Sequence, residues 1–392
     1  MISIIVFLGM SPCNHFNGLT FVSSGESTIA LTKSGEPFEV SLEYSLDGGV
    51  WQPYTIGETI SLSDGENVMF RAGGVGNDRF SSTTGDYYYF KISGKLNAKG
   101  SVMSLLSRDC SADSVPEYAF TFLFWSCDGL MSAPLLPANT LSNQCYNSMF
   151  SGCKSLIEAP VLPATELAVY CYSEMFEGCK SLTEAPELPA TELAQGCYDT
   201  MFEGCTSLTE APALPATELA FGCYENMFRR CKSLTEAPEL PAIKLTKRCY
   251  AWMFSGCTSL TEAPELPATE LAESCYSYMF NSCTSLTMAP VLPATNLVEC
   301  CYFSMFSGCT NLTKAPFLPA TELALKCYSK MFKGCTKLNY VKALFTDEYS
   351  EKTTYSWLSG VSSTGTFVKS KEAKLDVRGV SGIPEGWIVV TE

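Results

Sequence analysis

Cysteine is the residue type in this chain with the widest choice of chemistry, and its spacing is regular. The sequence has 20 cysteines among 392 residues. Thiols can bind metals, act as nucleophiles once deprotonated, or pair as disulfides. Sixteen of them form two ladders with a 26-residue period, the first at positions 145, 171, 197, 223, 249, 275, 301 and 327 and the second at 153, 179, 205, 231, 257, 283, 309 and 335.

The surroundings of these cysteines indicate a packing role. The ladders are eight residues apart, with no CxxC pair and no nearby histidine, which fits no compact zinc site. Tyr, Met, Phe and Leu flank the cysteines, whereas a nucleophilic thiolate needs an accessible, electropositive setting. We therefore predict buried, reduced thiols that pack as small hydrophobic groups. Disulfides between stacked coils remain an alternative, because coils about 4.8 Å apart approach the Cα separation of about 5.5 Å that a bridge accepts.

The sequence offers little for acid–base or nucleophilic catalysis. The one histidine, His15, lies in the N-terminal stretch, which removes Ser-His-Asp and Cys-His catalysis from the rest of the chain. A carbohydrate-active enzyme would need a cleft with two close carboxylates from different coils. A repeat instead gives every coil the same carboxylate, whereas an active site is a unique constellation. We predict that the protein is not an enzyme and needs no cofactor or metal.

The elements that position these residues come from a 26-residue repeat without insertions or deletions. One unit runs from Cys197 to Ala220 (CYDTMFEGCTSLTEAPALPATELA) and is followed by two variable residues. A degenerate first copy, with Ala119, Phe124 and Cys127 in register, makes about nine coils. Such a period predicts a solenoid whose stacked units share a continuous core. The fold class is mainly β with short helical turns, because Tyr-x-x-Met-Phe-x-x-Cys has helical spacing and the two prolines that follow require an extended segment.

The repeat is flanked by two other regions. Residues 17–107 alternate apolar and polar at period 2 in several short runs, which predicts a β-sandwich-like N-terminal domain. The solenoid covers 111–345, and residues 346–392 form a C-terminal cap in which Trp357, Phe367, Ile383, Trp387 and Ile388 cover the last coil. Residues 1–16 are a separate N-terminal segment, and an apolar run before Cys13 loosely matches a lipoprotein signal without its basic region.

These motifs resemble the BspA-like leucine-rich repeat. The resemblance rests on the string from Thr217 to Ala220, the Cys-Tyr-x-x-Met-Phe-x-x-Cys motif that starts at Cys223, and the Ser-Leu-Thr that follows. It spans about 230 residues, and it departs from the family where Cys replaces an inward Ile and Met replaces the Ala before Phe. The flanking β domain and the Gly-Ile-Pro-Glu-Gly-Trp ending (382–387) are similar to sequences beside such repeats in gut Bacteroidales and their phages. The resemblance implies a surface protein, of Bacteroides for example, that binds host or neighbouring cells.

Charge limits the class of partner. The net charge of −15 argues against nucleic acid and against anionic membranes. No stretch reaches the roughly 20 apolar residues of a transmembrane span. We expect a protein or glycan partner on a host or neighbouring cell surface, with the protein at the cell surface or extracellular and Cys13 as the candidate lipid-anchor residue. The alternative is a phage virion component, such as a tail or fibre accessory protein in host attachment.

The variable positions of the repeat are the candidates for contact with a ligand. Two stacked acidic rows are expected on the outside, one at Glu158, Glu184, Glu210, Glu236 and Glu262 and the other at Glu166, Glu192, Glu218, Glu270 and Glu322. These rows suit a solvated face, with binding of divalent cations or basic ligands as the alternative. Near the middle of the solenoid, basic and aromatic residues cluster, a composition typical of interaction hot spots. The candidate ligand-binding residues are Arg229, Arg230, Lys244, Lys247, Arg248, Trp252, Tyr278 and Phe303. The alternative is scattered surface residues that balance local acidity.

Overall fold

The structure is a computed structural model, which describes residues 18–109, 114–346, 350, 352–373 and 377–392. The N-terminal segment 1–16, with Cys13 and His15, lies outside the described residues, and so does Cys110. The prediction about Cys13 is therefore not addressed by the structure.

The N-terminal domain contains eight short strands. In chain order they are β1 (Leu19–Ser23), β2 (Ser27–Ser34), β3 (Leu42–Leu46), β4 (Gln52–Tyr54), β5 (Ile60–Leu62), β6 (Asn67–Ala72), β7 (Tyr87–Ser93) and β8 (Leu96–Lys99). One sheet has the order β8-β1-β6-β3-β4 and the other β5-β2-β7, with antiparallel pairing throughout. A 3₁₀-helix follows at Val102–Leu105, where the hydroxyl of Ser101 accepts a bond from the Met103 N–H.

The two sheets of this domain pack face to face, as the alternating pattern predicts. Phe21 of β1 and Phe70 of β6 lie in one sheet, and their ring centroids are 5.2 and 5.3 Å from that of Phe90 in the other. All three rings are fully buried. The predicted sandwich is therefore confirmed.

Backbone hydrogen bonds of the solenoid alternate between two kinds of partner. The N–H groups of Thr200 and Phe202 donate to carbonyls 25 residues ahead, in the next coil, at 2.8 and 2.9 Å. The N–H of Met201, between them, donates to the carbonyl of Tyr198 within its own coil. Every fourth residue is left-handed, with φ of 57° at Gly196, 60° at Thr200 and 73° at Gly204. The segment therefore forms consecutive i to i+3 turns in place of a continuous helical turn, and every second N–H is free to join coils.

The core of the solenoid consists of stacked ladders of identical side chains. We number the coils one to ten by the residue at the first cysteine position: Ala119, Cys145, Cys171, Cys197, Cys223, Cys249, Cys275, Cys301, Cys327 and Thr353. Successive Tyr rings lie 5.8–6.0 Å apart from coil two to coil nine. Successive Phe rings lie 5.4–5.7 Å apart from coil one to coil nine. The Met, Phe and Cys positions point inward as predicted, with 0% exposure at Met201, Phe202 and Cys205.

The cysteines belong to this core. All 18 cysteines that the structure describes are free thiols, and 17 of them are buried. In the second ladder each thiol donates to the carbonyl of the Phe one coil back, for example Cys205 Sγ to Phe176 O at 3.0 Å. Burial raises the pKa of the Cys171 thiol to about 12, which keeps it protonated. The prediction of buried, reduced thiols agrees with this arrangement.

The N-terminal domain covers the first coil. Strand β10 (Leu130–Ser132) of coil one pairs in parallel with β8, and the rings of Phe90 and Phe124 stack at 5.5 Å. Strand β9 (Ser114–Val115) pairs with β11 (Thr140–Leu141). The Phe ladder therefore continues into β7, which takes the place of a preceding coil.

The coil pattern continues into the region predicted as a cap. The Phe332 N–H donates to the Trp357 carbonyl at 2.9 Å, which adds a tenth turn. Strands β12 (Tyr340–Ala343), β13 (Gly365–Lys369) and β14 (Trp387–Thr391) form a parallel sheet. The predicted cap residues Trp357, Phe367, Ile383 and Trp387 are buried. Ile388 is 68% exposed, contrary to prediction, because it follows the inward-facing Trp387 and side chains alternate along a strand.

Candidate binding surface

The side of the solenoid formed by the consecutive turns carries most of the sequence variation. In each coil three outward pairs of residues interrupt the inward Cys, Tyr, Met and Phe. In coil four these pairs are 195–196, 199–200 and 203–204. We call this surface the turn face, and its pairs the first, middle and third rows. Inter-coil hydrogen bonds hold the coils in register, so residues 26 apart lie above one another.

The three predicted aromatic residues meet in the middle row. The rings of Trp252 and Tyr278 stack with centroids 3.6 Å apart and planes 9° apart. The ring of Phe303 meets Tyr278 edge-on at 5.2 Å. The Arg229 guanidinium lies 5.1 Å from the Trp252 centroid, and the Lys330 ammonium lies 5.6 Å from that of Phe303. These five side chains form an unbroken line over five coils, which we call the aromatic column.

The predicted residue Arg248 is paired within the chain. Its Nε bonds both carboxylate oxygens of Glu225, at 2.8 and 3.1 Å, and a second nitrogen also contacts Glu225. Glu225 is only 9% exposed. These hydrogen bonds raise the pKa of Arg248. Arg248 therefore neutralises a buried carboxylate.

The other predicted basic residues are also paired. Arg229 and Arg230 lie 3.2 and 3.7 Å from Glu203. Lys247 bonds Glu273 at 2.8 Å. The structure therefore brings the basic cluster together on the turn face but leaves it with little free positive charge.

Lys244 lies on a different surface from the aromatic column. It pairs at 3.9 Å with Glu270, in the extended part of the repeat. There Glu158, Glu184, Glu210 and Glu236 are joined in sequence by parallel bridges, as the stacked row predicts. The glutamates of both predicted rows are exposed. Among the described residues, no three ligating side chains form a group that could hold a metal ion.

An acidic zone on the turn face was not singled out from the sequence. It comprises Glu174 and Glu177 of coil three and Asp199 of coil four, all half-buried. Burial, opposed by a hydrogen bond from Thr200, raises the pKa of Asp199 to about 6, and the charge of Glu225 adds to the effect. Burial and the charge of Glu174 likewise raise the pKa of Glu177. The sequence signal that could have identified this zone is that its acidic residues occupy turn-face positions in adjacent coils.

A basic zone lies at the other end of the turn face. Lys326, Lys330 and Lys333 belong to coil nine, and Lys352 extends the zone into coil ten. Across the described part of the chain, none of these four lysines has a carboxylate within 4.0 Å. The carboxylates of the acidic zone likewise have no cationic group within 4.0 Å there, although the charge of Asp199 contributes to the raised pKa of Arg248. The aromatic column therefore lies between an acidic and a basic zone.

Two further features lie near the N-terminal domain. Tyr87 and Tyr89 project outward from β7 and contact Phe122 and Trp125 of coil one, at 4.6 and 6.2 Å. Sequence reasoning missed this cluster because it joins a strand to a coil that are distant in sequence. A cavity of about 840 Å³ is lined in part by Glu39, but none of the predicted ligand-binding residues lines it.

The stacked coils and turn face define a leucine-rich-repeat solenoid. The BspA type leucine rich repeat region matches the chain at residues 115–242 and 223–356, with six copies. These matches cover more than half of the 392 residues, so the chain belongs to the BspA-type leucine-rich-repeat family. Members of this family are generally non-enzymatic repeat scaffolds for binding or adhesion. No curated protein and no solved structure gives a significant match. In the part of the chain that the structure describes, no helix has the length and hydrophobicity of a membrane span.

Proposed function

We propose that this protein is a non-enzymatic binding and adhesion protein that contacts a macromolecule through its turn face. The supporting observation is the aromatic column. Its stacked residues Trp252 and Tyr278 occupy a position that holds Thr200, Asn226 and Ser304 in other coils. Three large rings on a variable surface have no role in the core ladders, and aromatic residues beside arginine are typical of binding hot spots.

The arrangement of the rings favours a protein partner over a glycan. Sugars stack on an open ring face, but Arg229 and Tyr278 lie against opposite sides of the Trp252 ring. Tyr278 in turn lies between Trp252 and Phe303. Rings whose faces are covered by neighbours can offer a ligand only their edges, and these positive edges suit carbonyl oxygens and edge-to-face contacts with aromatic side chains. We place this partner on a host or neighbouring cell surface, with the protein itself at the cell surface.

Binding to arrays of immobilised matrix proteins and of mucin glycans would test this proposal. The variant combines Trp252→Asn, Tyr278→Ser and Phe303→Ser. These substitutions introduce residue types that the repeat already carries at the equivalent positions of other coils, for example Asn226 and Ser304. The coils therefore stay intact. We expect the wild-type chain to bind protein spots and the variant to lose at least about tenfold in affinity.

The matched control removes exposed apolar side chains from another surface. Val291→Ala with Phe317→Ala changes residues that are 76% and 46% exposed in the extended segment, where Ala213 occupies the same position. The control should bind like the wild type. Equal binding by the aromatic variant, or binding to glycan spots alone, would contradict the proposal.

The second candidate is a phage virion component that acts in host attachment. The observation in its favour is the set of 17 buried free thiols, which suits assembly in a reducing compartment. The intact mass of the protein from its native source separates the two candidates. A chain that begins at a lipid-modified Cys13 supports the cell-surface protein, whereas an unprocessed chain that co-purifies with virions supports the second.

A further inference from the structure

The junction between the N-terminal domain and coil one carries four aromatic side chains that lie apart from the aromatic column. They are Tyr87 and Tyr89 of β7 and Phe122 and Trp125 of coil one, which we call the junction cluster. Tyr87 pairs with Phe122 at 4.6 Å and Tyr89 pairs with Trp125 at 6.2 Å, measured between ring centroids. The two tyrosine rings are 5.8 Å apart. The four rings therefore form one continuous patch across the junction.

The junction cluster has uncharged neighbours on both sides. Ser34 and Thr32 of β2 lie directly opposite the two tyrosines in the sheet, so they share a face with the tyrosine rings. On the other side, coil two presents Asn147, Ser148, Ser151 and Gly152 in its middle and third rows. The acidic zone begins at coil three, where two carboxylates accept hydrogen bonds from the coil two serines. Along β7 the patch ends at the exposed Lys91. An uncharged surface thus extends from β2 to coil two in a chain of net charge −15.

The polar groups and one ring face of the junction cluster are free for a ligand. Within the part of the chain that the structure describes, no group forms a hydrogen bond with the phenol hydroxyls of Tyr87 and Tyr89 or with the indole N–H of Trp125. Trp125 is 38% exposed. Among the described side chains, Tyr89 is the one ring in contact with it, and no cation lies over it. One face of the Trp125 ring therefore has neither a ring nor a cation against it, unlike the ring of Trp252.

We infer that the junction cluster binds a neutral oligosaccharide, at a site separate from the aromatic column. A sugar ring presents C–H groups that suit the negative face of an aromatic ring. Its hydroxyls leave water on binding and need new hydrogen-bond partners, which the free phenol hydroxyls and the indole N–H supply. A neutral ligand needs no charged partner here, whereas an anionic glycan would meet the carboxylates of the acidic zone. The inference goes beyond the proposed function, because it concerns other residues and another class of ligand.

Isothermal titration calorimetry on the full chain tests this site with maltoheptaose, cellohexaose, laminarihexaose and mannohexaose as neutral probes. Polygalacturonate serves as the anionic probe. We expect at least one neutral probe to bind and polygalacturonate not to bind. Failure of all the neutral probes to bind, or binding of polygalacturonate alone, would overturn the inference.

Two variants locate the binding of the neutral probe. The first combines Phe122→Ser with Trp125→Ser, and Ser148 and Ser151 occupy the equivalent positions of coil two. The backbone φ is positive at both Phe122 and Ser148, at 61° and 51°, so the substitution at that position suits the local conformation. This serine variant should bind the probe at least about tenfold more weakly, because it loses the stacking surface. The second variant, Trp125→Phe, keeps a ring and should lose less affinity than the serine variant.

The matched control is the variant of the aromatic column, with Trp252→Asn, Tyr278→Ser and Phe303→Ser, which should bind the neutral probe like the wild type. Unchanged affinity in the serine variant, or loss of the probe in the control, would overturn the inference. Circular dichroism of the serine variant checks that it is folded. The protein arrays separate this inference from the proposed function, because the serine variant should still bind protein spots and the control should not.

Discussion

The ion pair between Arg248 and Glu225 gives the sharpest test of how the turn face is built. The side chain of Glu225 is 11% exposed and that of Arg248 is 45% exposed. The perturbation is Arg248→Ser, which leaves a largely buried carboxylate with no cation beside it. The double variant adds Glu225→Ser. Ser274 and Ser277 of coil seven occupy the positions equivalent to Arg248 and Glu225, so serine is compatible with each position taken singly.

The expected loss in the free energy of unfolding lies between two limits. Removing one partner of a fully buried pair costs about 3–5 kcal/mol, whereas exposed pairs contribute about 0–1 kcal/mol. Because nearly half of the Arg248 side chain is exposed, we expect Arg248→Ser to lower the free energy of unfolding by about 2–3 kcal/mol. Glu225→Ser leaves a guanidinium that can reach water and should cost about 1 kcal/mol. The double variant should also cost about 1 kcal/mol, so the coupling energy is about 2–3 kcal/mol.

The assay is urea unfolding at pH 7.5, followed by circular dichroism, with amide hydrogen exchange to localise the effect. Exchange should accelerate in coils five and six of the Arg248→Ser variant and return towards wild-type rates in the double variant. If the cost of the double variant equals the sum of the two single costs, the view that Arg248 serves to neutralise Glu225 is refuted. A cost below about 0.5 kcal/mol for Arg248→Ser would do the same.

Three further predictions follow from the core and the acidic zone. Because the pKa of Asp199 in the folded state lies above its ordinary value of 3.8, the folded state binds the proton more tightly than the unfolded state does, and stability falls as the pH rises from about 4 to about 6. Asp199→Asn should therefore stabilise the protein by about 1–2 kcal/mol at pH 7.5, after allowance for partial exposure, and by nearly nothing at pH 4. Thermal unfolding at both pH values checks this, and a gain in stability that does not depend on pH would contradict it. In folded protein in which serine replaces Cys13 and Cys110, a thiol reagent such as DTNB should modify one cysteine, Cys300. Adding Cys300→Ser should abolish this rapid reaction. Rapid modification of several thiols would show that the cysteine ladders are open to solvent. Phe228→Ala should cost about 3–5 kcal/mol, because it leaves a gap in a ladder whose rings lie 5.7 Å away on both sides, and a loss under 1 kcal/mol in urea unfolding would indicate that the coils do not stack as described.

The repeat made most of the architecture predictable. A strict 26-residue period leaves no freedom in which residues stack, so the inward Cys, Met and Phe and the outward acidic rows follow from register alone. The extra turn in the C-terminal region was harder to predict, because Trp357 and Leu358 replace Met and Phe there. The exposure of Ile388 depended on which face of β14 meets the sheet, and the composition of the strand does not determine that.

The candidate surface was predictable in composition but not in charge. Sequence reasoning identified Trp252, Tyr278 and Phe303, and the structure brings them into contact. It also grouped Lys244 with them, although that residue lies on the extended side of the coil. Spacing in sequence does not show how far around the coil two variable positions lie.

The sequence by itself determined the stacking of the coils, because identical apolar residues at a constant spacing can be buried only against their own copies. Only the tertiary structure decided which charged side chains form ion pairs within the chain and which stay available. Arg248 and Arg229 reach across to carboxylates of neighbouring coils, whereas among the described residues no carboxylate lies within 4.0 Å of the Lys330 ammonium. Coulomb energies depend on distances of a few ångströms and on burial, and both are set only when residues 26 positions apart are brought side by side.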